Sequence, residues 1–244
     1  MNKPIISAKN IKKSYGQTHA LRGASLDVEA GEVLAIMGPS GSGKSTLLHS
    51  LAAIISVDSG EISMNGARID RLSDDKRSKL RRTSFGFVFQ FGQLVSELTV
   101  HDNVALPLLL NGVERKEAYK RANTWIDKVG LNGKEENLPG ELSGGQAQRA
   151  AIARAMVIEP KILFADEPTG SLDSLNSEKV MELFIKTAKS SGTTIIMVTH
   201  EPTIAAYADR EITVRDGQIA NSTNLAAYSA PVDAANAEKS GARK

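Results

Sequence analysis

Residues 38–45 read Gly-Pro-Ser-Gly-Ser-Gly-Lys-Ser, a full match to the phosphate-loop pattern G-x-x-x-x-G-K-[ST]. The pattern constrains the fold because it works only between a strand and a helix. Val33 to Met37 is a short apolar run ending at the loop, and Leu47, Leu48 and Leu51 follow at helical spacing. Gly38, Gly41 and Gly43 let the backbone wrap tightly round an anion, so that loop N–H groups, those of Ser40 and Ser42 included, point inward at a helix N-terminus. A nucleoside triphosphate is the expected occupant. Lys44 is expected to bridge its β- and γ-phosphates, Ser45 to coordinate Mg²⁺, and Thr46 to lie near the α-phosphate.

At 244 residues the chain is long enough for one large α/β domain with subdomains. A net charge of +2 gives no reason to expect nucleic acid as a partner. The absence of cysteine excludes disulfides and thiolate metal sites. No run approaches the ~18 apolar residues of a membrane span, and the N-terminus lacks a signal peptide's hydrophobic stretch, so any membrane role is expected to come through a partner.

Along the chain, Ile5 to Lys13 alternates as a strand and leads to Tyr15-Gly16, a turn whose ring is a candidate platform for a purine. Glu61 to Met64 with the Asn65-Gly66 turn predicts an antiparallel hairpin beside a mainly parallel sheet. Ser73 to Arg82 reads as a basic, solvated helix, and Phe85 to Phe89 as a strand that delivers Gln90 to the ligand end of the sheet. From Thr99 an apolar stretch interrupted by Pro107 and then a helix over 114–129 predict a helical subdomain at about 95–158. In Leu142-Ser143-Gly144-Gly145-Gln146, Ser143 and Gln146 form a capping box. Two glycines in a first helical turn cost helix stability unless the backbone must approach a ligand, so a second anion contact is expected there.

Ile162 to Ala165 reads as a buried strand with Asp166 and Glu167 at its carboxyl end: one carboxylate for Mg²⁺, the other to accept a proton from water. Thr194 to Val198 repeats the pattern with His200 just beyond it. Residues 1–220 are thus expected to form the domain, and 221–244, polar and alanine-rich, a mobile tail.

Tyr15, the phosphate loop, Gln90, Leu-Ser-Gly-Gly-Gln, Asp166-Glu167, Ser171-Leu172-Asp173 and His200 occur in an order that resembles the ATP-binding subunits of ABC transporters, over roughly residues 5 to 220. The resemblance implies a P-loop NTPase (RecA-like) core with an antiparallel β subdomain and an α-helical signature subdomain. It implies that Tyr15 stacks on adenine, that Ser45, Asp166 and Gln90 attend Mg²⁺, that Glu167 is the catalytic base, and that His200, with Gln90, acts in catalysis. It further implies a head-to-tail homodimer in which Ser143, Gly144, Gly145 and Gln146 meet the ATP of the other subunit, with Asp173 at the seam. The segment from Phe87 to Leu110 is similar to that of the mechanotransmission subgroup, which contains lipoprotein-release, macrolide-export, haem-export, peptide-antibiotic-resistance and cell-division (FtsE-like) ATPases. Those pair with a permease of few membrane spans and an extracytoplasmic domain. An exporter ATPase is the expectation, at the cytoplasmic face of the membrane; the alternative is an FtsE-like regulator of cell-wall hydrolysis. A DNA- or ribosome-acting ATPase would need a coiled-coil or zinc insertion, or two cassettes in one chain, and a GTPase an Asn-Lys-x-Asp motif; none is in the sequence.

Overall fold

The computed structural model describes residues 4–225. A hairpin of β1 (Ile6–Tyr15) and β2 (Thr18–Val28) leads to β3 (Val33–Met37), the phosphate loop and α1 (Lys44–Leu51). A second hairpin, β4 (Ser59–Met64) with β5 (Ala67–Arg68), precedes α2 (Asp74–Ser84) and β6 (Phe85–Phe89). Three helices follow: α3 (Val100–Leu110), α4 (Arg115–Lys128) and, after a 3-10 turn at Pro139–Glu141, α5 (Gly144–Met156). The chain then alternates β7 (Ile162–Asp166), α6 (Ser174–Ser190), β8 (Thr194–Val198) and α7 (Pro202–Ala205), and ends in the hairpin β9 (Arg210–Arg215) and β10 (Gln218–Asn224).

The main sheet has the order β10-β9-β3-β8-β7-β6, parallel except for β10, and an antiparallel sheet β2-β1-β4-β5 lies beside it. Strand alternation sorts the apolar side chains between two cores. Leu34 and Ile36 of β3 join Leu47 and Leu51 of α1 and Ile6 of the antiparallel sheet. Val33 and Ala35, on the opposite face, join Val104 of α3, Ile126 of α4, Ile152 of α5 and Phe184 of α6. The sheet is covered on both faces, which is why β3, β7 and β8 read as continuous apolar runs. Phe85 of β6 meets Phe164 of β7 edge to face, with centroids 5.1 Å apart, a geometry worth about 1 kcal/mol beyond area burial.

The architecture is the expected one, with three local differences. Pro107 does not interrupt its helix. It lies inside α3, whose start is fixed by the Thr99 hydroxyl accepting from the Asp102 amide and whose buried face is Val100, Val104 and Leu108. That packing outweighs one missing backbone bond. Four elements, α6, α7, β9 and β10, were not expected. Residues 221–224 are paired in β10, so regular structure runs past 220; the remainder of the proposed tail, 226–244, lies outside the described residues. Among the described residues no helix is long and apolar enough to cross a membrane.

Candidate functional site

The carboxyl ends of β3, β7 and β8 meet at the phosphate loop, because a parallel sheet gathers these ends on one edge. Two glycines leave the loop no choice of residue. Gly38 (φ 140°) and Gly43 (φ 104°) occupy backbone regions that side chains avoid, and a Cβ on either would collide with a carbonyl oxygen, of Val214 and Ala20 respectively. The β9–β10 turn supports the loop from below: the Gly217 N–H donates to the Ser42 carbonyl at 2.9 Å. Lys44 is 9 % exposed, and its Nζ donates to the carbonyls of Gly38 and Pro39, both at 2.8 Å. The Ser42 hydroxyl is buried with no hydrogen-bond partner among the described residues. A cradle that a Cβ would fill, a buried lysine with only carbonyls to hold and an orphaned hydroxyl together fit a polyphosphate.

Opposite the loop, the Ser45 hydroxyl donates to Asp166 Oδ1 at 3.2 Å, and His49 Nε2 lies 3.7 Å from Asp166 Oδ2. Burial pushes the Asp166 carboxyl up, opposed by His49 and by the Ser45 bond. Two oxygen donors converging in this way suit Mg²⁺, which takes a few protein oxygens and completes its shell from phosphate and water. Next along the chain, Glu167 is in the left-handed region at φ 50°, held by its N–H donating to the Val198 carbonyl at 3.0 Å. A non-glycine residue kept there costs about 1–2 kcal/mol and is commonly a functional position. The His200 Nδ1–H donates to both Glu167 oxygens at 2.9 Å, and this bond raises the His200 pKa.

The structure therefore brings Gly38, Ser40, Gly41, Ser42, Gly43, Lys44, Ser45, Thr46, Asp166, Glu167 and His200 to one edge of the sheet. Gln90 lies beside them at the end of β6, but its carboxamide packs against Gly170 and makes no hydrogen bond to Ser45 or Asp166. Tyr15 is the last residue of β1, not part of the turn as expected, and is 52 % exposed; β2 then passes the loop at Ala20. The residues Ser143, Gly144, Gly145, Gln146 and Asp173 make no hydrogen bond to the phosphate loop and form a second cluster. Ser143 and Gln146 close the capping box, a Cβ on Gly144 would press on Leu172, and Asp173 caps α6 by accepting from the Asn176 amide at 3.0 Å. The glycines of this turn thus lie against the start of α6.

Two residues that the sequence reading does not single out join these parts. His49 is one helical turn after Ser45, a spacing that places both on one face of α1. Gln148 is 2 % exposed, and its Nε2 donates to the carbonyls of Phe89 at 3.0 Å and Pro168 at 2.5 Å, tying α5 to the strand ends that carry Gln90 and Glu167. Gln148→Leu keeps the volume and leaves the Pro168 carbonyl unpaired, while the Phe89 carbonyl keeps its bond from the Gly92 N–H at 3.0 Å, so stability should fall by about 1–3 kcal/mol, read from the urea midpoint at unchanged slope. A loss below about 0.5 kcal/mol would show that water replaces the clamp.

A family model described as ABC transporter matches residues 21–170. The chain is 46% identical over 224 residues to the macrolide export ATP-binding/permease protein MacB of Neisseria gonorrhoeae, covering 90% of this chain and 35% of that protein. It thus spans about a third of the length of that relative. To the lipoprotein-releasing system ATP-binding protein LolD of Aquifex aeolicus it is 45% identical over 215 residues, 88% of this chain and 96% of LolD. Among solved structures, the dimeric post-hydrolysis state of the ATP-binding cassette MJ0796 bound to ADP and Pi superposes with a TM-score of 0.83 at 38% identity, covering 90% of this chain and 98% of that one.

Proposed function

From the premise that this chain belongs to the ABC transporter family and is its ATP-hydrolysing cassette, we propose that two copies close head to tail around two ATP molecules and drive a separate membrane permease of the exporter type. The observation that carries this reading is the convergence of the glycine cradle, the Ser45–Asp166 pair and the Glu167–His200 pair on one sheet edge, with the Ser143–Gln146 turn held apart from it.

In the proposed cycle, Lys44 and the loop amides neutralise and orient the triphosphate, and Tyr15 stacks on the adenine. Ser45, Asp166 and Gln90 would hold Mg²⁺, which when bound would supply positive charge to the phosphoryl oxygens. Glu167 takes a proton from the attacking water at a carboxylate oxygen, and His200 orients that carboxylate through its Nδ1–H and turns the rest of its ring toward the γ-phosphate. The other copy contributes the amides of Gly144 and Gly145, the Ser143 hydroxyl and Gln146, with Asp173 at the seam. A site whose anion contacts lie on two chains makes ATP the bond of the closed dimer, and hydrolysis shifts the population back to the open one.

The exporter reading is supported by the two relatives, one named for macrolide export and one for lipoprotein release. It places the cassette at the cytoplasmic face of the membrane, bound to a permease of few spans with an extracytoplasmic domain. The test is to trap Glu167→Gln protein with ATP in its own membranes, solubilise it and identify the co-purifying chains by mass spectrometry. A permease of that kind without a wall enzyme is the expected result. A permease bound to a wall hydrolase or its activator would move the function to division-type regulation, and no membrane partner would overturn it.

A further inference from the structure

The last turn of β1 is tied down more heavily than its place on the surface calls for. Register irregularities interrupt the pairing of β1 with β2 between Lys13 and Ser14, and its pairing with β4 skips from Lys9 to Lys12. The end of the strand that leads to Tyr15 thus has an incomplete ladder. Asp58, on the turn before β4, replaces it. Its N–H donates to the Lys12 carbonyl at 2.9 Å, Oδ2 accepts from the Ser14 amide at 2.6 Å, and Oδ1 accepts from Lys13 Nζ at 3.0 Å. Ser14 is held from the other side by a hydrogen bond between its hydroxyl and His19 Nδ1 at 2.9 Å.

The tether has a consequence for Tyr15. Lys13, fixed by Asp58, keeps its Nζ 5.6 Å from the centroid of the Tyr15 ring, within cation–π reach. The ring is thereby steadied at an exposed position where a free tyrosine would sample several rotamers. A stacking platform that is already ordered loses less entropy when a base lands on it.

We propose that Asp58 is a positioning residue for nucleotide binding: through Lys13 and Ser14 it sets the Tyr15 ring, and so contributes to affinity for the base and not for the phosphates. The proposal rests on the reading of Tyr15 as the adenine platform. The Asp58 side chain is 45 % exposed and belongs to neither apolar core, so its role is in the placement of its neighbours and not in the core. The Lys13 and Ser14 bonds also hold its carboxyl below the usual aspartate value, which keeps the tether charged at neutral pH.

The test compares binding of Mg-ATP with that of Mg-tripolyphosphate, which has the phosphates and no base, by calorimetry on the full chain. Asp58→Ala should weaken ATP about 3–10-fold with tripolyphosphate within about twofold, and should raise KM with kcat retained. Asp58→Asn keeps an acceptor for the Ser14 amide but loses the ion pair, and should fall between the two. Tyr15→Ala should weaken ATP about 10-fold, again sparing tripolyphosphate, and adding Asp58→Ala to it should change nothing further. If Tyr15→Ala leaves ATP affinity intact, the platform reading itself fails. If Tyr15→Ala weakens ATP and Asp58→Ala does not, the tether is overturned while the platform stands. Equal weakening of ATP and tripolyphosphate by Asp58→Ala would also overturn it, since that is the mark of general structural damage.

Discussion

Glu167→Gln is expected to lower ATP hydrolysis by about 10²–10⁴ while ATP binding and the ATP-dependent closed dimer are retained, the range by which a positioned general base accelerates proton transfer. The substitution keeps the shape and one acceptor oxygen and removes the group that accepts the proton. The backbone around it has no reason to move, because φ at this position is set by the N–H bond to Val198, which the side chain does not make. An internal check accompanies the rate. His200 has a raised pKa because its ring is bonded to the Glu167 carboxylate, so a neutral glutamine should let that pKa fall back toward the ordinary imidazole value. Phosphate release measures the first effect and an NMR titration of the His200 ring the second. Hydrolysis at the normal rate, with the His200 shift present, would move the role of base to another residue.

The parts of the site that the sequence makes legible are those where a backbone constraint and a chemical group coincide. Gly38 and Gly43 are obligatory where a Cβ would strike a carbonyl, and Asp166 and Glu167 end a strand whose buried run is itself diagnostic. Residues that act by bridging are harder to see. Gln148 looks like any polar residue on an alanine-rich helix, and only its neighbours, the ends of β6 and the Pro168 turn, make it a buried clamp. His49 had a usable signal, its spacing from Ser45, but the importance of that spacing depends on β7 bringing Asp166 alongside. In the fold, α6 carries Val180, Phe184 and Ala188 at intervals of one turn, and its N-cap is Asp173, so its helical pattern was present behind a polar first turn. The last strand was not readable in that way: β10 lies at the sheet edge and has one apolar side chain, Ile219, packed on the core, so its structure comes from pairing with β9 and not from a pattern of its own.

Lys44→Ala should act on the other half of the reaction, weakening ATP about 10²-fold in Kd with the protein folded. In the structure the ammonium makes no ion pair within 4 Å among the described residues and donates to two carbonyls at 2.8 Å. Anionic phosphate oxygens are better acceptors than carbonyls, so the lysine gains on exchanging one set for the other. Hydrogen bonds to charged groups contribute about 1.5–3 kcal/mol each, and two of them less the carbonyl bonds given up leave about 3 kcal/mol, hence the hundredfold. The helix does not depend on the residue: alanine is the better helix former at the start of α1, and the carbonyl of Pro39, an exposed residue, can be rehydrated. Calorimetry with ATP measures the loss, and an unchanged thermal midpoint without nucleotide shows that it is not unfolding. Unchanged ATP affinity would contradict the phosphate-loop role of Lys44. The two substitutions should also separate in a dimerisation assay: ATP should close Glu167→Gln protein into a long-lived dimer, because its cradle is intact and its hydrolytic exit is not. Lys44→Ala protein should remain open at the same ATP concentration, since the molecule that bonds the two chains no longer stays in its loop.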